Sequence, residues 1–236
     1  MDVLDCQIQN ECYRQVMATK TDEAKAKHAA AGEVAPRLTR KGAETRERIV
    51  TAAADLVFAD GVAATSIEDV KEAAGVSSSQ LYHYFADKQA LIHAVIAHQS
   101  DAVIAAQEPL LAKLDSLDAL RAWRDQAVAI QRRLHCKGGC PIGALAGELA
   151  ESDPEARADL AAGFARWEDA IGAGIRAMHE RGELPAEVDP DRLALALLAA
   201  HQGGLVLTQV RREPAPLEAA LDAMIEHVAE LLGDAR

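Results

Sequence analysis

A chain of 236 residues, half of them hydrophobic but only 3% aromatic, is long enough for a small module joined to a larger domain. Ala, Leu, Glu, Asp and Arg dominate and β-branched runs are rare, so propensities sum towards helix almost everywhere after residue 40 and predict an all-α fold. No run of eighteen uncharged apolar residues offers a membrane span, and the acids Asp2, Asp5 and Glu11 do not fit a secretory signal. The four cysteines (Cys6, Cys12, Cys136, Cys140) are too few and too unevenly placed for a disulfide framework, so a cytoplasmic protein with reduced thiols is expected.

The net charge of −12 argues against a polyanionic partner until its distribution is read: −2 over residues 1–36, −1 over 37–100 and −9 over 101–236. Within the middle part RLTRKGAETRER, residues 37–48, holds five bases against two acids. Residues 1–36 lack a sustained apolar period and are expected to form a mobile tail. From Ala43, the apolar residues Ile49, Ala52, Ala53, Leu56 and Val57 recur at helical spacing until Asp60-Gly61 ends the segment. Thr65-Ser-Ile-Glu68 has the form of a capping box, which predicts a second helix from about Ser66 to Ala74 that buries Ile67, Val70 and Ala74. Gly75 allows a sharp turn into a second box, Ser77-Ser-Ser-Gln80, and a third helix. Two short helices joined by a tight glycine turn after a longer one form a helix-turn-helix pattern, although any small helical bundle can carry capped helices.

In the third helix, Leu81 and Phe85 share one face and should point to the core, whereas Ser79 and His83 share the opposite face with Gln80 and Tyr82 beside them. A small polar helix end of this kind can approach a duplex closely, with backbone N–H groups and hydroxyls to phosphates and longer side chains to base edges. Asp87-Lys88 opens a fourth helix.

The run TRERIVTAAADLVFADGVAATSIEDVKEAAGVSSSQLYHYFADKQAL, residues 45–91, closely resembles the DNA-binding domain of the tetracycline-repressor family of bacterial regulators. The matching positions include Arg46, Ile49, Ala52-Ala53, Gly61, Thr65, Ala74-Gly75-Val76-Ser77, Leu81-Tyr82, Phe85, Lys88 and Leu91. The resemblance implies an all-helical homodimer whose N-terminal three-helix helix-turn-helix domain (residues 37–90) binds double-stranded operator DNA. It also implies a larger helical domain (91–236) that receives a small-molecule effector and dimerises. It places Ser77, Ser78, Ser79, Gln80, Tyr82, His83 and Tyr84 at the operator, with Thr65 and Lys88 supporting phosphate contacts at two helix starts. Glu68 stands where such regulators often carry a base, so Arg40, Lys41 and Arg46 are expected to supply more of the phosphate affinity.

Beyond Lys88, the punctuation by Pro109, Gly138-Gly139, Pro154, Gly182, Pro185 and Pro214 predicts helices near 88–107, 117–135, 141–150, 154–181, 190–212 and 216–232. The nearly uncharged ALALLAAHQGGLVL, with Gly203-Gly204, reads either as a dimer surface or as a buried helix of one subunit; the resemblance favours a homodimer through the last two helices. CKGGCPIGALAGEL, residues 136–149, places Cys140 at an N-cap before Pro141. A thiol there, near Lys137, could have a lowered pKa and act as an electrophile or redox sensor, or it could be a small packed residue. This stretch is also similar to a GGCP-type branch of the same family, some members of which respond to electrophiles or flat aromatic compounds. His135, Cys136 and Cys140 lack a fourth zinc ligand, so no metal and no cofactor are expected.

Trp123, Ile130, Cys140, Leu145, Trp167 and Ile171 are candidate effector contacts, with Ile175, Met178 and Leu205 also able to project between helices. His201-Gln202 is the most unusual polar pair in the apolar helix, either orienting a ligand or buried at the dimer surface. No phosphate loop, nucleophile elbow, zinc-protease or dinucleotide motif is present, which argues against an enzyme. The expected function is a repressor released from its operator by a small apolar or aromatic effector. A DNA-binding protein that organises chromosomes is the alternative, as is a regulator sensing electrophiles through Cys140.

Overall fold

The computed structural model describes residues 38–234, and the expected tail of residues 1–36 lies outside them. Among the described residues the chain forms nine α-helices and a short 3-10 turn, with no strand. They are α1 (Arg40–Asp60), α2 (Ile67–Ala74), α3 (Ser78–Tyr84), α4 (Lys88–Ala105), the 3-10 turn (Leu111–Lys113), α5 (Leu117–Arg133), α6 (Pro141–Leu149), α7 (Pro154–Glu180), α8 (Pro190–Arg211) and α9 (Ala215–Asp234). The all-α expectation holds, and the six expected C-terminal helices match α4 to α9.

α1 starts at Thr39, whose hydroxyl accepts the Gly42 N–H at 3.1 Å, and ends at Gly61 with φ +87°. Ile49, Ala52, Ala53 and Val57 are buried along its inner face, as their spacing predicts. α2 begins one residue later than the sequence suggests. The capping box is Ser66/Asp69: Ser66 Oγ accepts the Asp69 N–H at 3.2 Å, and Asp69 Oδ2 accepts the Ser66 N–H at 2.9 Å. Thr65 is instead buried, and both its N–H and its hydroxyl donate to the Gly61 carbonyl. Those two bonds close the turn between α1 and α2 and shift the helix start by one position.

The register has a measurable consequence. Ser66→Ala is expected to cost about 1 kcal/mol in urea unfolding. Glu68→Gln removes only an exposed ion pair with Lys71, and is expected to change stability by less than about 0.5 kcal/mol. The opposite order would restore the Thr65/Glu68 register.

Gly75 takes the left-handed conformation (φ 62°, ψ 44°) that turns α2 sharply into α3. α3 carries the expected box, with Ser77 Oγ accepting the Gln80 N–H and Gln80 Oε1 accepting the Ser77 N–H at 2.9 Å. Arg48 Nε donates to the Ala74 carbonyl at 2.9 Å, tying the end of α2 to α1. Leu81 and Phe85 are both buried against this trio. α4, capped by Asp87, leaves the trio and packs against α1 on one side and α7 on the other.

The C-terminal helices pack around α7 and α8, with α9 covering α8 and touching α5. Pro141, Pro154 and Pro190 each occupy the first turn of a helix, where the missing N–H is harmless. Gly204 lets α9 close on α8, since a Cβ there would lie 2.9 Å from Leu217 Cα. By length and composition alone, α8 could cross a membrane. In the fold, its inner side (Leu193, Ala194, Leu197, Leu198, Leu205) joins the protein core.

Candidate DNA interface and effector core

The expected recognition face is exposed. Ser78, Ser79, Gln80, Tyr82 and His83 all face outward from α3; Tyr82 is 54% exposed, while Leu81 beside it is fully buried. Tyr84 is half-buried against the core, and its ring meets the edge of His83 at 4.9 Å, so it buttresses the face more than it forms it. Arg46 lies over the Phe85 ring at 5.2 Å, which holds its guanidinium at the base of α3. Arg40 and Lys41 are exposed in the first turn of α1, Arg40 pairing with Glu44 at 3.4 Å.

Two assignments change. Thr65 is turned inward onto the Gly61 carbonyl, so it is not open to a phosphate. Lys88 Nζ donates to the Val62 carbonyl at 2.7 Å and is half-buried, which makes it a brace between α4 and the α1–α2 turn. α2 also starts with two carboxylates, Glu68 and Asp69. The exposed cations beside this face, Arg40, Lys41 and Arg46, therefore belong to α1, and α3 adds polar side chains without a formal charge.

In the C-terminal core, three helices bring Trp123 (α5), Trp167 (α7) and His201 (α8) together. His201 stacks on Trp123 at 5.3 Å between ring centroids, with an interplanar angle of 21°. It meets Trp167 edge-on at 5.0 Å and 71°. Trp123 Nε1 donates to Gln107 Oε1 at 2.8 Å, and Gln107 donates onward to the Val103 carbonyl. Gln107 lies two residues past the end of α4, which stops short of the expected 107, and no local pattern marks it as the partner of Trp123. Trp167 Nε1, His201 Nδ1, Ser100 Oγ and Gln131 Oε1 are buried with no hydrogen-bond partner among the described residues. Burial holds the His201 pKa down from its usual 6.5 to about 4, so the ring is neutral near pH 7. Because the unfolded chain takes up this proton first, His201 makes the fold lose stability as pH falls from about 6.5 towards 4.

The other candidates divide between two places. Ile171 is buried one turn beyond Trp167, while Ile130 is only half-buried. Leu145 lies on α6 and faces Val57 and Phe58 of α1. Gln202 does not join His201; its side chain reaches Cys140 and Gly143 at the start of α6. Cys140 occupies the N-cap as expected, yet it is not an activated thiol. Burial pushes its pKa up from 9.0 to about 11, outweighing the Gly143 and Ile142 N–H groups and Gln202, which pull it down. Iodoacetamide at pH 7.5, followed by peptide mass spectrometry, is expected to label Cys140 at least about 100-fold more slowly in the native than in the unfolded protein, since each pKa unit is a factor of ten in thiolate. Fast native labelling would reinstate the sensor reading.

The segment from His135 to Leu149 bridges the two regions. His135, Cys136, Gly138 and Gly139 all have positive φ. Arg212 Nη1 donates to the Cys136 carbonyl at 3.0 Å, Gly139 lies beside Gln209 of α8, and Gly138 lies against the Phe58 ring of α1. At the far end of α6, Glu148 Oε2 accepts the Val62 N–H at 2.9 Å. Among the described residues, no group of three His, Cys, Asp or Glu side chains is placed to hold a metal.

On the outer side of α8, Leu195, Val206, Leu207 and Val210 are exposed, Val210 by 75%. Gly203 faces the same open side with nothing within 4 Å of an added Cβ, while Gly204 serves the contact with α9.

A capped helix pair with a polar exposed second helix, braced on a longer first one, defines a helix-turn-helix DNA-binding protein. The model for bacterial regulatory proteins of the tetR family matches residues 49–95, and that for the tetracyclin repressor-like C-terminal domain matches residues 116–224. An uncharacterised HTH-type transcriptional regulator of Mycobacterium tuberculosis is 31% identical over 183 residues, covering 73% of this chain and 88% of the relative. The HTH-type transcriptional repressor DhaR of a Mycobacterium species is 25% identical and covers 77% and 90%. The crystal structure of a TetR transcriptional regulator from Chloroflexus aurantiacus superposes with a TM-score of 0.68 at 31% identity, covering 81% of this chain and 97% of that one. The chain belongs to the tetR family of transcriptional regulators.

Proposed function

We propose that the protein is a dimeric cytoplasmic repressor that releases its operator when a small molecule enters the C-terminal core. Residues 37–90 form the DNA-binding unit and residues 91–236 the effector and dimer unit. The observation that carries this reading is the pairing of an exposed polar α3 with a buried Trp123–His201–Trp167 cluster, with α6 touching α8 at Gln202 through Cys140 and the α1–α2 turn through Glu148. The name of the DhaR relative, a repressor, supports the direction of regulation.

The outer stripe of α8, with α9, supplies the dimer surface in this reading, because exposed Leu195, Val206, Leu207 and Val210 gain by leaving water. Dimerisation sets two α3 helices about 34 Å apart, one DNA turn, so that both enter major grooves on one side of the duplex. An effector that prefers the wider, non-binding spacing by about 100-fold supplies about 2.7 kcal/mol of coupling, and no bond is made or broken.

The test is binding to the DNA upstream of the protein's own gene. A dimer in sedimentation and a nanomolar-range shift on one palindromic site, steep in salt, are expected. A strict monomer that ignores every duplex at low salt rejects the proposal. Occupancy of many sites away from promoters in cells would favour chromosome organisation instead.

A further inference from the structure

The polar atoms left unpaired in the C-terminal core restrict what that core can receive. Trp167 Nε1 can only donate, and a buried donor without an acceptor costs about 1–3 kcal/mol. His201 Nδ1, on the ring that meets Trp167 at 5.0 Å, is unpaired as well. Ser100 Oγ is a third such atom. It lies against Gly163, one turn before Trp167 on α7, in space that a Cβ at Gly163 would occupy. Unpaired buried groups are scarce in native cores, and these three, from α4, α7 and α8, lie along the same stretch of α7, where a ligand with polar atoms would complete them.

Charge narrows the partner further. Among the described residues, the buried polar and charged side chains are Thr45, Asp55, Thr65, Gln99, Ser100, Gln107, Gln131, His201 and Thr208. No lysine or arginine is among them, and the one acid, Asp55, belongs to α1. A carboxylate or ammonium brought to Trp167 would thus be desolvated with no buried counter-charge. A pure hydrocarbon would leave the indole N–H as unpaired as before.

We infer that the effector is a small uncharged molecule whose carbonyl, amide or hydroxyl oxygen accepts a hydrogen bond from Trp167 Nε1, whose N–H or O–H donates to His201 Nδ1, and whose flat body lies against the Trp123 and His201 rings. This rests on the reading of the core as the effector site, and it replaces the expectation of a mainly apolar ligand with a polar-headed one.

The chain carries two tryptophans, both at this cluster, so its intrinsic emission reports the site directly. The full-length protein is titrated with three probes of matched shape, benzamide, benzoate and toluene, while emission and operator binding are followed. Benzamide is expected to change emission saturably and to weaken operator binding, with benzoate and toluene needing at least about tenfold higher concentration. His201→Phe keeps an aromatic ring between the tryptophans and removes the unpaired nitrogen. It is expected to weaken benzamide about tenfold while holding or raising the melting temperature, because an unpaired buried polar group is lost. Trp167→Phe is expected to weaken benzamide equally.

Toluene or benzoate binding as tightly as benzamide, no response to any of the three, or a His201→Phe protein that melts lower would each overturn the inference. Operator release by benzamide with unchanged emission would instead place the effector site elsewhere. Failure of the unliganded protein to bind operator at all would reject the regulator itself.

Discussion

Leu81→Ala is expected to cost about 2–5 kcal/mol and to abolish operator binding as a consequence, whereas Tyr82→Ala, one residue further along α3, should weaken binding with the fold intact. The two side chains leave the helix about 100° apart, one into the core and one towards solvent. Leu81 is fully buried in the trio formed with α1 and α2, and its truncation leaves a cavity that three helices, locked by caps and by the Arg48–Ala74 bond, cannot close. Tyr82 is 54% exposed and belongs to no core cluster. Its loss is expected to move the melting temperature by no more than about 2 °C, as surface changes usually stay within about 0.5 kcal/mol. Operator affinity measured by fluorescence anisotropy should fall at least about tenfold. A Tyr82→Ala protein that unfolds like Leu81→Ala would mean that Tyr82 belongs to the core, and one that keeps wild-type operator affinity would mean that the exposed face of α3 is not the DNA face.

The N-terminal unit was legible because its signals are local. The apolar spacing of Ile49, Ala52, Ala53 and Val57, the Ser77/Gln80 box and the glycine at 75 each depend on residues within one or two turns, and each is found as read. The Thr65/Glu68 box failed within the same logic: Thr65-Ser66 and Glu68-Asp69 allow two registers of one pattern, and only the fold of the preceding turn onto Gly61 chooses between them.

The C-terminal unit was legible as helices but not as a site. Proline marks where α6 to α9 begin, yet the sequence does not fix how each helix is rotated about its axis relative to neighbours far away in the chain. Hence Trp123, Trp167 and His201 could be named individually and not as a stack, and Gln202 was grouped with His201 although one helical step turns it towards Cys140. The contact of Glu148 with Val62 spans 86 positions and carries no local signature. Cys140 shows the same limit in chemistry: its N-cap position was readable, but the burial that reverses its pKa comes from elements distant in the chain.

Gly138→Val is expected to impair both stability and DNA binding, because Gly138 is where the α5–α6 loop presses on the DNA-binding unit. Its φ of +81° is unfavourable for any side chain, costing about 1–2 kcal/mol. An added Cβ would also penetrate the Phe58 ring of α1, and such overpacking costs about 1–3 kcal/mol more. Gly75→Ala is the control, since it shares the positive φ but has nothing within 4 Å, so it should show the backbone cost alone. The wedge is expected to have a further effect, pushing the Phe58 ring and through it α1 against α6, where Glu148 holds the Val62 N–H. Operator affinity, measured at a temperature where the variant remains folded by circular dichroism, should therefore fall at least about tenfold beyond that of Gly75→Ala. In a Phe58→Ala background the ring is gone, and adding Gly138→Val should cost only the backbone part, with a coupling energy of about 1–3 kcal/mol between the two sites. Additive costs in that cycle, or wild-type operator affinity in Gly138→Val, would show that this contact does not carry the position of α1.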